Sequence, residues 1–251
     1  MGTRLREETE VRPKPMVDVG ERPILWHIMK MYAHHGFTDF VLCLGYMGDK
    51  IKEHFLNYEP MNSDFTVTLG KKDGIEFHNG HDESDWKVTL ADTGLSSMTG
   101  SRVKRVQKYV GNERFMLTYG DGLSDVDLTR LIAFHESHGK IGTLTGVAPP
   151  GRFGELSIDD NHLVHAFAEK PAQGAARING GFFVFEPAFF DYVSEDADCI
   201  LEREPLERLA QAGELAVYNH SGFWQCMDTF RDLSLLRNLW QSGKAPWKTW
   251  T

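Results

Sequence analysis

Two short stretches near the start of the chain hold residue types suited to gripping polyanions. They are Gly2-Thr3-Arg4-Leu5 and Pro13-Lys14-Pro15-Met16. Glycine lets the backbone come close to a phosphate. Arg4 offers a two-pronged fork of donors and Lys14 a point charge. The flanking prolines fix φ and hold Lys14 in place, so these residues read as a phosphate site, with a rigid surface turn as the alternative.

Further candidates follow along the chain. Asp121 ends the apolar run Phe115–Tyr119 and lies between Gly120 and Gly122. Ligands of open α/β sheets bind beyond the carboxyl ends of strands, so Asp121 reads as a metal-binding carboxylate or as a turn residue bonded to its own backbone. Asp228 precedes a helical pattern at 230–241, which it either caps or leaves to serve as a second carboxylate for Mg²⁺. Glu169-Lys170-Pro171 pairs a carboxylate for sugar hydroxyls with an ammonium for a phosphate, or is a solvated ion pair. Ile178-Asn179-Gly180-Gly181-Phe182 offers an amide on flexible backbone, or a simple glycine turn. The stretch Asp92–Arg102 is rich in small residues and donors and feeds a short basic helix; it reads as a base- and ribose-binding loop or a capped flexible loop.

These residues need a scaffold, and the patterns supply one. Helical periodicity covers 24–35, 47–58, 128–138, 202–212 and 230–241. Apolar strand runs cover 40–44, 115–119, 141–147, 155–158, 163–167, 181–185 and 215–218. Their alternation predicts an α/β domain with a mixed, largely parallel sheet. Residues 64–90 form a Gly/Asp/His-rich excursion with strand-like pieces at 65–69 and 86–90, and 222–251 is a C-terminal segment of the single domain 1–251.

The formal net charge of −9 excludes the basic profile of a nucleic-acid binder but not a polyphosphate substrate, since a local basic pocket or a metal reverses the sign. Cys43, Cys199 and Cys226 are too scattered for a disulfide framework or a zinc site; Cys43 is expected to be a buried thiol in a reducing compartment. The N-terminus is polar, unlike a signal peptide, and no apolar stretch is long enough to span a membrane. A cytoplasmic protein is expected.

Taken together, the blocks resemble the sugar nucleotidyltransferases, and among them the glucose-1-phosphate cytidylyltransferases. The family begins with a strand ending in Gly-Gly-x-Gly-Thr-Arg-Leu, followed by Glu-x-Thr and Pro-Lys-Pro. Here Gly2–Leu5, Glu8-Thr9 and Pro13–Met16 match. The cytidylyltransferase branch adds Ile24–Lys30, Asp92-Thr93-Gly94, Ser97–Gly100, Thr118–Gly122, Pro149–Gly154, Glu169–Pro171, Ile178–Val184, Gly222–Gln225, Met227-Asp228-Thr229 and the tail Gly243–Trp250. The resemblance spans essentially the whole chain.

It implies a Rossmann-like fold and a reaction of CTP with α-D-glucose 1-phosphate, giving CDP-glucose and pyrophosphate. By resemblance, Mg²⁺ sits on Asp121 and Asp228. Gly2, Thr3, Arg4 and Lys14 hold the triphosphate, and Ser97, Arg102 and Gly120 contact the nucleotide. Glu169, Lys170 and Asn179 hold the sugar phosphate. Arg4, Lys14, Asp121 and Lys170 carry the catalysis, and a homo-oligomer built on trimers is implied.

An Arg102 guanidinium aimed at the base edge would favour cytosine over uracil. The family's first strand and the glycines ahead of Gly2 are absent from this sequence, so a sheet lacking a central strand is expected. The competing readings are a transferase for UTP or dTTP, a non-catalytic nucleotide-sensing relative and, more remotely, a metal-dependent glycosyltransferase.

Overall fold

The computed structural model describes residues 5–149, 155–158, 164–168 and 177–250. In chain order, α1 (Leu5–Thr9) leads through a 3-10 turn at Lys14–Met16 to the short β1 (Asp18–Val19) and β2 (Arg22–Pro23), then α2 (Ile24–His34), β3 (Asp39–Leu44), α3 (Gly48–Leu56) and α4 (Tyr58–Asn62). The excursion holds β4 (Phe65–Val67) and β5 (Ile75–Phe77) and returns as β6 (Lys87–Asp92). There follow α5 (Thr99–Arg105), α6 (Gln107–Val110), β7 (Phe115–Thr118), β8 (Gly122–Ser124), α7 (Leu128–His138) and β9 (Gly142–Val147). The remainder comprises β10 (Glu155–Ile158), β11 (Val164–Ala168), β12 (Ile178–Phe185), α8 (Glu204–Gln211), β13 (Leu215–His220), β14 (Trp224–Cys226) and α9 (Phe230–Gln241).

The α/β class and the mixed sheet agree with the sequence reading. The main sheet runs β13-β9-β12-β7, and a second ladder joins β3 to β6. Among the described residues, parallel pairing is confined to β13–β9 and β3–β6, while β12 runs antiparallel to both of its neighbours. The reason lies in the connection: between β9 and β12 the described chain carries the β10–β11 hairpin and no helix, and such a return reverses direction, whereas parallel neighbours need a crossover.

Strand β12 is the axis of the core. Phe182, Val184 and Phe183, Phe185 alternate between its two faces and are almost fully buried. The first pair joins Ile28, Tyr32, Leu128 and Leu131 from α2 and α7, and the second joins Phe189, Phe190, Leu206 and Leu209 beside α8. The C-terminal tail is clasped by aromatics: Trp247 is buried and its indole N–H meets His27 Nδ1 at 3.4 Å. His27 therefore donates from Nε2 to Val19 O at 2.8 Å, and burial depresses its pKa to about 4, which keeps the ring neutral.

Among the described residues, β3 and β7 make no ladder with each other, and a cavity of about 1020 Å³ lies between them. The gap separates the β13-β9-β12-β7 sheet from the β3–β6 ladder. It also corrects two expectations. Strands β3 and β7 are only partly buried rather than covered on both faces, because each borders the cavity. Cys43 is exposed rather than buried, since it lines that cavity; the enclosing walls nevertheless push its thiol up to about 11.

Candidate active site

The site is assembled by local geometry around Lys14. The 3-10 turn closes with Met16 N donating to Pro13 O at 2.8 Å. It presses Pro15 against Gly120, where a Cβ would stand 3.0 Å from the proline ring, so glycine permits the approach. That contact delivers the Lys14 ammonium to Asp121 Oδ2 at 2.6 Å and to Asp228 Oδ1 at 2.7 Å.

The two carboxylates are far apart in sequence but adjacent in the fold. The β8–β14 ladder pairs Gly122 with Cys226, and Met227 N donates to Asp121 O at 2.8 Å. Asp228 does not cap α9: Thr229 does, in a reciprocal capping box with Asp232. Of the two sequence readings of Asp228, capping is thus excluded. Burial works against the Lys14 charge, but hydrogen bonds and charge from Asp121 and Asp228 outweigh it and raise its pKa.

Two cavities meet at this cluster. The larger has Lys14, Arg102, Gly120 and Asp121 among its lining residues. The smaller, of about 220 Å³, is lined by Asp121, Asn179, Gly180, Trp224, Cys226 and Asp228, among others. Asp121 and Tyr119 belong to both walls.

On the larger side, Arg102 donates from Nη1 to Leu44 O at 3.0 Å and Thr93 Oγ1 at 2.8 Å. Its fork therefore braces the loop after β6. Arg105 does likewise, reaching Thr93 O at 2.8 Å and Ser97 Oγ at 2.6 Å. Ser97 is buried by this contact and is not among the residues lining either cavity.

On the smaller side, Asn179 accepts from Gly181 N at 2.9 Å and donates to Tyr119 Oη at 3.1 Å. Gly181 holds φ +78°, with the Tyr119 ring packed where a side chain would be, so the turn requires glycine. The Trp224 indole donates to Gly180 O at 2.7 Å.

The structure brings the sequence candidates Lys14, Gly120, Asp121 and Asp228 into one cluster, with Arg102 and Asn179 on opposite flanks. Gly2, Thr3, Arg4, Glu169 and Lys170 lie outside the described residues. Tyr119, Trp224 and Glu202 carried no role in the sequence reading. Tyr119 had a signal, since it directly precedes Gly120-Asp121, and Trp224 stands near Asp228; Glu202 had none.

A strand-and-helix scaffold that presents paired carboxylates and a lysine between two cavities defines a class of group-transfer enzyme. The nucleotidyl transferase family model matches residues 1–235, and the chain belongs to that family. It is 54% identical to glucose-1-phosphate cytidylyltransferases of Salmonella typhi and Salmonella typhimurium, over 100% of this chain and 96% of each relative. Among solved structures, HddC from Yersinia pseudotuberculosis shares the fold with a TM-score of 0.63 at 22% identity, covering 96% of this chain and 95% of that one.

Proposed function

We propose that this protein transfers CMP from CTP to α-D-glucose 1-phosphate, releasing pyrophosphate and CDP-glucose. The observation that carries the reading is the meeting of Lys14, Asp121 and Asp228 on a wall shared by two cavities. One cavity is flanked by arginine-braced loops and the other by neutral amide and indole groups, which suits a nucleotide on the first side and a hexose phosphate on the second.

The nucleophile is a phosphate oxygen of the sugar phosphate, already anionic at neutral pH, so no serine or cysteine nucleophile is needed. The task is to align two polyanions and offset their repulsion, and preorganised charge and position supply most of such catalysis. Lys14 is proposed to offset the charge that builds on the departing pyrophosphate. Asn179 offers an amide hydrogen to the sugar side.

Asp121 and Asp228 are two hard oxygen donors that already converge on one cation, the Lys14 ammonium, so the pair fits Mg²⁺. Those two side chains would hold the ion, which when bound screens phosphate charge. Arg4, Gly2 and Thr3 are proposed for the triphosphate, Arg102, Ser97 and Gly120 for the nucleotide side, and Glu169 and Lys170 for the sugar phosphate.

The expected homo-oligomer has a candidate face in the β4–β5 hairpin, where Phe65, Val67, Ile75 and Phe77 are all exposed. A two-stranded ribbon is marginal alone and gains from apolar cover. Sedimentation of wild type against Phe65→Asp tests it, with dissociation expected. No helix among the described residues is long and apolar enough to cross a membrane. A cytoplasmic location is proposed from the substrates, CTP and a sugar phosphate.

Pyrophosphate release with Mg²⁺ and glucose 1-phosphate, compared across CTP, UTP and dTTP, tests the reaction. Release with CTP alone is expected. Equal or greater release with UTP or dTTP overturns the base assignment, and silence with all three overturns the catalytic reading in favour of a nucleotide-sensing relative.

A further inference from the structure

Tyr119 belongs to the walls of both cavities, and its hydroxyl is the meeting point of two hydrogen bonds whose directions can be worked out. One partner is Glu202 Oε1 and the other is Asn179 Nδ2 at 3.1 Å. A carboxylate only accepts, so the Tyr119 proton goes to Glu202. The phenol oxygen is then an acceptor toward Asn179, which must present its NH₂ there. The Asn179 carbonyl oxygen consequently faces Gly181 N, which donates to it at 2.9 Å. The charge on Glu202, through Tyr119, and the Gly181 N–H thus set the Asn179 amide the same way, and the opposite orientation would place donor against donor at both contacts.

Glu202 is itself held from the other side. Leu201 N donates to Thr99 Oγ1 at 2.9 Å, so the Thr99 hydroxyl proton goes to Glu202 Oε2, at 2.8 Å. Thr99 opens α5, the helix that carries Arg102. The carboxylate therefore receives one hydrogen from the helix flanking the larger cavity and one from the tyrosine flanking the smaller.

We propose that Glu202 and Tyr119 are positioning residues for the sugar-phosphate subsite, setting the orientation of the Asn179 amide so that its second N–H faces a ligand oxygen in the smaller cavity. The proposal rests on the reading of that cavity as the sugar-phosphate side.

The test is Glu202→Gln and Tyr119→Phe in the full chain. A glutamine at 202 can donate to Tyr119, which frees the phenol proton to point at Asn179, where it opposes the amide N–H and leaves the orientation to Gly181 N–H alone. Phenylalanine at 119 removes the acceptor altogether. Each variant is expected to raise KM for glucose 1-phosphate about tenfold, the worth of one well-placed hydrogen bond, with KM for CTP within about twofold. A merely structural role would raise both constants together, and that result overturns the proposal.

A second readout is independent of turnover. In ¹⁵N spectra the Asn179 side-chain NH₂ pair is expected to move in both variants while the thermal midpoint stays near that of wild type. An unmoved pair overturns the network. Wild type that releases no pyrophosphate with CTP strikes at the underlying functional reading instead, and the amide resonances still test the network.

Discussion

The two cavities that share Asp121 are built in opposite ways. Around the larger, long cationic side chains turn back on the chain: Arg102 and Arg105 together donate to Leu44 O, Thr93 O, Thr93 Oγ1 and Ser97 Oγ. Around the smaller, short groups on a glycine turn are held by neutral partners: the Trp224 indole donates to Gly180 O, and the Tyr119 hydroxyl accepts from Asn179. The difference teaches how each wall is kept rigid. A guanidinium satisfied by several backbone oxygens fixes a loop that carries no regular structure, and it leaves positive charge beside the cavity. A hexose offers neutral hydroxyls that need exact direction rather than charge, so the smaller wall relies on backbone geometry and on amide orientation.

Lys14 stands outside this contrast, because it touches the carboxylates at the junction. Lys14→Ala should therefore have the largest effect. It leaves Asp121 and Asp228 facing each other without the ammonium, and it removes a charge placed for the departing pyrophosphate. A fall in kcat/KM of about a hundredfold to a thousandfold is expected, by analogy with loss of one preorganised oxyanion donor. Both substrates should suffer alike. A loss below tenfold in steady-state pyrophosphate release would mean that the junction is a structural ion cluster.

Gly181→Ala comes next and strikes the smaller wall only. At φ +78° an L side chain is strained, and the added Cβ would lie 2.5 Å from Tyr119 Cδ2. An aromatic ring packed in a wall cannot yield cheaply, so the turn itself should shift. The expected result is a KM for glucose 1-phosphate raised about tenfold or more, with a stability loss of about 1–3 kcal/mol in urea unfolding. An equal rise in the KM for CTP would dissolve the distinction between the two walls.

How much of this was legible in the sequence follows the same line. Helices α7 and α9 were readable to the residue because their apolar periodicity is strong, although the sequence offered Asp228 as a cap of α9 where Thr229 serves. Lys14, Asp121 and Asp228 were legible as residue types at strand ends and turns. Their meeting was not, since it depends on the β8–β14 ladder between three-residue strands too short to show alternation. The antiparallel β12 was hidden because its buried run looks alike in either direction. The bracing role of Arg102 was illegible because its acceptors are set by tertiary placement, and Glu202 meets a tyrosine far away in the chain for the same reason.

Arg102→Ala sharpens the larger side. The sequence suggested a guanidinium that reads cytosine; the structure has that fork bonded to the protein's own oxygens. Removal should loosen the loop after β6 and raise KM for both CTP and UTP by roughly the same several-fold factor, one or two hydrogen bonds' worth. Competition assays with the two nucleotides check it. A loss confined to CTP would return the fork to the base edge.

Trp224→Phe should have the smallest effect and the cleanest signature. Phenylalanine keeps an aromatic body on β14 but removes the N–H that meets Gly180 O at 2.7 Å. The Gly180 carbonyl then loses this partner, at a cost of about 1 kcal/mol. Because Trp224 pairs with Ser124 on the ladder that also places Asp121, two outcomes separate two roles. If the indole only steadies the glycine turn, KM for glucose 1-phosphate rises a few-fold and kcat holds. If it also keeps the carboxylate ladder in register, kcat falls as well. The first is expected: the ladder's backbone bonds survive the substitution, and only the turn loses a donor.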